Sequence, residues 1–143
     1  MPKNLVASAS TTINAPPDKV WRGLVEAPLV KRYLFGTDVT SDWKKGSRIV
    51  WKGEWQGKTY EDKGVVLAAD KGKKLQYTYL SSMSGKPDKP ENYSTITINL
   101  SPEGNRTRLS LVQDNNDTEA SRDHSQENWQ TVLAGLKKVV EAL

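Results

Sequence analysis

His124 is the only histidine in the chain, so any scheme of proton transfer or nucleophile activation built on imidazole must use it. On a helix it lies about 140° from Trp129, at the edge or outer side of the segment that carries both, where a solvated histidine is expected. With Glu127 or Asn128 it has helical spacing for a metal ion. A transition-metal site would need further imidazole or thiolate donors, and the sequence has no second histidine and no cysteine. No metal and no cofactor is therefore expected. Glu54, Glu61, Asp62 and Asp114 are the carboxylates nearest the predicted strands, and an acid/base pair needs two of them pointing inward. Strand parity turns Glu54 and Asp114 outward, while Asp62 stays open because a bulge near Gly64 would reverse it. Phosphate-binding glycine loops and Gly-x-Ser-x-Gly turns are absent from the sequence.

The second set with chemical character is aromatic. Trp51, Trp55, Tyr77, Tyr79 and Trp129 all fall on faces predicted to point inward, with Gln113 among them as a neutral donor and acceptor. Each buried tyrosine hydroxyl or indole N–H needs a partner, so this set carries more polar tips than a dry core accommodates. Apolar walls with a few polar tips are the signature of a small-molecule site, and Ile98, Leu111, Leu133 and Leu136 supply the apolar walls.

These side chains must be positioned by a β-rich chain closed by one long helix. Residues 6–13 alternate as a strand that ends at Asn14-Ala15-Pro16-Pro17, where proline and Asp18 mark a helix start. Val20, Trp21, Leu24 and Val25 repeat at helical spacing, and Pro28 interrupts before a second short helix over 29–35, stopped by Gly36. From Ser47 the period becomes two. Ile49, Trp51 and Trp55 share one face, Gly57 turns the chain into a strand over 59–69, and Leu75, Tyr77 and Tyr79 alternate after the turn Asp70-Lys71-Gly72. Ile96, Ile98 and Leu100, then Leu109, Leu111 and Gln113, alternate on either side of Pro102-Glu103-Gly104-Asn105. Sequential hairpins imply an antiparallel sheet. A polar stretch over 81–91 is the segment expected to be mobile.

Residues 118–143 read as one amphipathic helix. Ser125, Trp129, Val132, Leu133, Leu136, Val139, Val140 and Leu143 share a face, with Gln130, Ala134, Lys137, Lys138 and Glu141 opposite. Gly135, near the border of that stripe, marks the close approach of a strand. The 143 residues suit one domain with a real core. Twenty-one basic residues interleave with 17 acidic ones for a net charge of +4, which reads as a solvated surface rather than a nucleic-acid footprint. No stretch approaches the ~20 apolar residues of a membrane span, so neither nucleic acid nor membrane is an expected partner, and a cytoplasmic protein is expected.

The order of strand, two short helices, about six antiparallel strands and a long C-terminal helix resembles the helix-grip fold of the START/Bet v 1-like superfamily. Ile13-Asn14-Ala15-Pro16-Pro17-Asp18-Lys19-Val20-Trp21, Gly64-Val65-Val66 with Leu75-Gln76-Tyr77-Thr78-Tyr79, Thr107-Arg108-Leu109-Ser110-Leu111, and Trp129 with Leu133 and Leu136-Lys137-Lys138 resemble the family related to the C-terminal domain of the Hsp90 ATPase activator. Tyr33 and Tyr79 depart from it where many members carry tryptophan, and Lys71-Gly72 replaces a common proline. The resemblance implies a single α+β helix-grip domain over residues 1–143, with a curved antiparallel sheet of about six or seven strands wrapped around the long helix. It implies a cavity between the two, and from the family name a possible chaperone partner or stress-response role. The function expected is non-enzymatic binding of an apolar or aromatic small molecule, lipid or polyketide-like. The residues expected to hold it are Trp51, Trp55, Tyr77, Tyr79, Ile98, Leu111, Gln113, Trp129, Leu133 and Leu136. The rival is a hydrolase or cyclase using the same cavity, with Asp62, Gln113 or His124 as the polar participant.

Overall fold

A computed structural model of the chain describes residues 5–82 and 85–143, apart from the side chain of Trp55. Strand β1 (Leu5–Ile13) leads into helices α1 (Pro17–Val25) and α2 (Ala27–Tyr33). Six strands follow, β2 (Asp38–Thr40), β3 (Arg48–Trp55), β4 (Lys58–Asp70), β5 (Lys74–Tyr79), β6 (Ser94–Glu103) and β7 (Arg106–Asn116), and then the long helix α3 (Glu119–Glu141). The seven strands form one antiparallel sheet in the order β1-β7-β6-β5-β4-β3-β2. Helices α1 and α2 therefore carry the chain from one edge of the sheet to the other. At three residues, β2 is too short to show a period of two, which is why the sequence pattern misses it.

Local chemistry sets the joints. Pro17 and Asp18 open α1 as expected, but Pro28 lies in the first turn of α2 rather than before it, and the break falls at Glu26, which is extended at φ −81° and ψ 116°. The second helix ends at Tyr33, two residues before its expected end. The β3–β4 hairpin closes through Gln56 and Gly57, with φ of +50° and +79°, a pair of left-handed residues that matches the strand twist and pins Trp55 opposite Lys58. Counting back along that register puts Trp51 opposite Asp62. A Cβ at Gly64 would stand 1.7 Å from the Thr78 carbonyl oxygen, so only glycine permits the close backbone approach where β4 bends against β5. The β4–β5 register shifts beyond Gly64, between Val66 and Ala68.

In-register rows cross the concave face. Ala7, Gln113, Ile96, Tyr77 and Val66 form one row through β1, β7, β6, β5 and β4, and Ala9, Leu111, Ile98, Leu75 and Ala69 form the next. Alanine at the β1 end of both rows leaves room for α3, whose Val132, Leu133, Leu136, Val139 and Val140 are buried against the sheet and the short helices. Five such side chains supply a gross gain on the order of 10 kcal/mol. Thr118 caps this helix by accepting from the Ser121 amide at 3.0 Å. Leu143 falls beyond the helix and is exposed.

The polar face of α3 is not left to water. Gln126 Oε1 accepts from the Ser8 amide at 3.2 Å, Gln130 Oε1 from Ser10 at 3.0 Å and Glu141 Oε2 from Asn14 at 2.8 Å, while Lys137 Nζ donates to the Thr12 carbonyl at 2.9 Å. These partners satisfy backbone groups along the free edge of β1, which would otherwise be a template for pairing with another chain. Lys137 and the Asn14 amide hold the Glu141 carboxyl below the usual carboxylate range. Gly135 marks a close approach, but of α2 and not of a strand: a Cβ there would lie 3.0 Å from Tyr33 Cβ.

Candidate functional site

Between α3, the concave sheet face and the short helices lies a cavity of about 540 Å³. Nine of the ten residues expected to hold a ligand line it: Trp51, Tyr77 and Tyr79 from β3 and β5, Ile98, Leu111 and Gln113 from β6 and β7, and Trp129, Leu133 and Leu136 from α3. The tenth, Trp55, has its side chain outside the described residues. Strand parity brings the first six to one face, and helical spacing brings the last three opposite them.

The aromatic wall is interlocked. Trp51 meets Tyr77 at a ring separation of 5.5 Å, tilted by 45°, and Tyr79 edge-on at 5.1 Å and 70°. Trp129 Nε1 donates to Gln113 Oε1 at 2.6 Å, joining the helix to β7, the strand next to the β1 edge. Tyr33 closes the helical end, with its hydroxyl donating to the Gly23 carbonyl at 2.8 Å. Burial pushes the hydroxyls of Tyr33, Tyr77 and Tyr79 well above the ordinary phenol range, and for Tyr79 the bond to Asp62 adds to it. All three are neutral donors at physiological pH.

Asp62, open in the sequence, is turned inward and is 7% exposed. No bulge is needed for this, because the hairpin register places it beside Trp51. Its carboxylate accepts from Tyr79 Oη at 2.6 Å, from the Ser82 amide at 2.8 Å and from Ser82 Oγ at 3.0 Å. The 81–91 segment expected to be mobile is thus tied to the cavity wall, and Lys63–Asp88 and Lys86–Asp117 ion pairs, both at 2.6 Å, hold it further along. Met83 and Ser84 lie outside the described residues.

The mouth is marked by lining residues that are exposed: Phe35, Glu54, His124 and Asn128. His124 is solvated, as its helical angle requires, yet it stands at the entrance rather than on the far side of α3. Glu54 is exposed as its parity demands and joins the same rim, while Asp114 faces away and accepts from the Thr95 amide at 2.6 Å. Phe35 is 60% exposed and has φ of +54°, an uncommon conformation for a bulky residue, carried on the loop between α2 and β2. The Thr37 hydroxyl of that loop hydrogen-bonds the hydroxyl of Tyr60, anchoring the rim to β4. Pattern reasoning missed Val39, on the short β2, and Trp43, in an irregular loop, although both line the cavity. Leu24, one of the residues at helical spacing in α1, and Val30 of α2 line it as well. Among the described residues no group of three histidine, aspartate and glutamate side chains could hold a metal ion, and no helix is long and apolar enough to cross a membrane.

A curved antiparallel sheet gripping a long C-terminal helix over an aromatic cavity defines a helix-grip protein of the START/Bet v 1-like superfamily. Residues 14–141 match the family described as Activator of Hsp90 ATPase homolog 1-like protein, and the chain belongs to that family. The solution structure of ChR145 from Cytophaga hutchinsonii is 51% identical over 99% of this chain and 97% of that one, with a TM-score of 0.86. CalU16 from Micromonospora echinospora shares the fold at 19% identity and a TM-score of 0.70, over 96% of this chain and 85% of that one. DynU16, from the dynemicin biosynthetic locus, shares it at 12% identity and a TM-score of 0.79, with 97% of this chain aligned to 48% of that one. No protein of curated function matches the sequence.

Proposed function

We propose that this protein holds an apolar or aromatic small molecule, without transforming it, in the cavity between α3 and the sheet. The observation that carries this is the cavity itself. A dry void of about 540 Å³ would cost on the order of 10 kcal/mol at roughly 24 cal/mol per Å³, as much as the whole net stability of a typical domain. Open to solvent at its rim, it holds water or a ligand, and its size falls within the range of small-molecule sites. Trp129, Leu133, Tyr77 and Trp51 offer ring faces and aliphatic surface to that occupant.

The experiment is ¹H–¹⁵N chemical-shift mapping against a set of lipids and polyaromatic compounds. Binding in the cavity shifts Trp129, including its indole N–H, together with Tyr77 and Leu111. Shifts confined to surface residues, with Trp129 and Tyr77 unmoved, overturn the proposal.

A catalytic role for the same cavity has Asp62 on the wall and His124 at the mouth in its favour. Asp62, however, already accepts three hydrogen bonds from Tyr79 and Ser82, which suits a structural anchor better than a free base. A chaperone-partner or stress-response role rests on the family description alone, and failure to bind a purified Hsp90-type ATPase would remove it.

A further inference from the structure

Hydrogen-bonding capacity inside the cavity is lopsided. Its interior acceptors are already served: the Asp62 carboxylate by Tyr79 and Ser82, and Gln113 Oε1 by Trp129. Its donors are not. Tyr77 is 9% exposed and its hydroxyl has no partner among the described residues. No fully enclosed side-chain polar atom among those residues lacks a partner, so this hydroxyl opens onto the cavity that Tyr77 lines. The Gln113 amide is oriented by its neighbour: an indole N–H can only donate, so the Gln113 oxygen must face Trp129 and the NH₂ group must point elsewhere. That NH₂ group also has no partner among the described residues.

Tyr77 and Gln113 lie in one row of the sheet, with Ile96 between them. Two strand spacings separate their backbones by roughly 10 Å, close enough for both side chains to reach one molecule in the cavity they line. A purely hydrocarbon occupant would leave both donors desolvated and unpaired, at a cost that an oxygen acceptor removes.

From this we infer that the cavity selects apolar molecules bearing a carbonyl or similar oxygen acceptor, which receives hydrogen bonds from Tyr77 Oη and Gln113 Nε2. The inference rests on the cavity being a ligand site and adds the chemical class of its ligand.

The test uses 9-fluorenone and fluorene, which share a tricyclic carbon frame and differ by a carbonyl in place of a methylene. Affinities are measured by calorimetry or chemical-shift titration of the full chain. In Tyr77→Phe the preference for fluorenone over fluorene falls roughly three- to tenfold, the effect of one neutral hydrogen bond, while fluorene affinity changes less than twofold. Gln113→Glu keeps an acceptor for Trp129 Nε1 but exchanges the NH₂ donor for a carboxylate, and the preference falls at least as far. In the native protein the Gln113 side-chain amide resonances move with fluorenone and hardly at all with fluorene. A preference unchanged in both variants overturns the inference while leaving the cavity as a ligand site. If neither compound binds, the proposed function fails and takes the inference with it. A thermal melt accompanies each variant; if Tyr77→Phe unfolds the chain, the hydroxyl has a structural partner, and that too overturns the inference.

Discussion

Tyr77 and Tyr79 are two residues apart on one strand, both face the cavity and both touch Trp51, yet removing their hydroxyls should have very unequal consequences. Tyr79 Oη donates to the Asp62 carboxylate at 2.6 Å, while Tyr77 Oη has no partner among the described residues. A hydrogen bond to a charged group contributes about 1.5–3 kcal/mol, and its loss leaves a buried carboxylate with only the Ser82 donors. For a chain of 143 residues that corresponds to a fall in Tm of roughly 5–10 °C for Tyr79→Phe. Tyr77→Phe removes a group with no protein bond to lose and keeps the ring against Trp51, so stability should change by less than about 0.5 kcal/mol. Urea and thermal unfolding followed by circular dichroism measure both, and a double-mutant cycle of Tyr79→Phe with Asp62→Asn should show coupling of about 1 kcal/mol or more. Equal destabilisation by the two single variants, or a larger loss from Tyr77→Phe, would refute the assignment of which hydroxyl is committed and which is free.

Two further outcomes follow from the same contacts. Tyr33, Tyr77 and Tyr79 are held as neutral phenols with raised pKa values, so above about pH 10 the unfolded chain releases protons that the folded chain keeps, and stability falls as pH rises. Each contributes about 1.4 kcal/mol per pH unit in that range, and alkaline urea titrations should show a steep loss beginning near pH 10, delayed in a Tyr33→Phe/Tyr77→Phe/Tyr79→Phe variant. Gln126→Ala with Gln130→Ala should raise hydrogen exchange at the Ser8 and Ser10 amides at least tenfold, with the β6–β7 amides unaffected; unchanged protection at Ser8 and Ser10 would mean that the helix does not cap the β1 edge.

Much of the site was legible from periodicity. Leu75, Tyr77 and Tyr79 point inward because alternate residues of a strand share a face, and Trp129, Leu133 and Leu136 face them because their spacing follows the turn of a helix. Asp62 was legible in principle as well. A two-residue Gln56-Gly57 turn sets the β3–β4 register, and that register places Asp62 beside Trp51. Alternation within a single strand leaves its face open, because the register belongs to the strand pair. The short β2 and the Trp43 loop carry too few residues for any period, so Val39 and Trp43 stayed invisible as lining.

The amino-acid order by itself determined the local elements, the inward aromatic set and the stripe of α3, because those depend on neighbours a few residues apart. Tertiary structure decided the rest, since it depends on what each surface meets. The polar face of α3 became the cap of a sheet edge only because β1 lies beside it, and the histidine at its start became a doorway residue rather than a distant one. Trp129 is held to Gln113 while Trp51 packs against Tyr77 and Tyr79, which fixes these rings in the cavity wall. Whether such rings become a packed core or the wall of a 540 Å³ cavity depends on how far apart the helix and sheet are held, a distance no run of residues encodes locally.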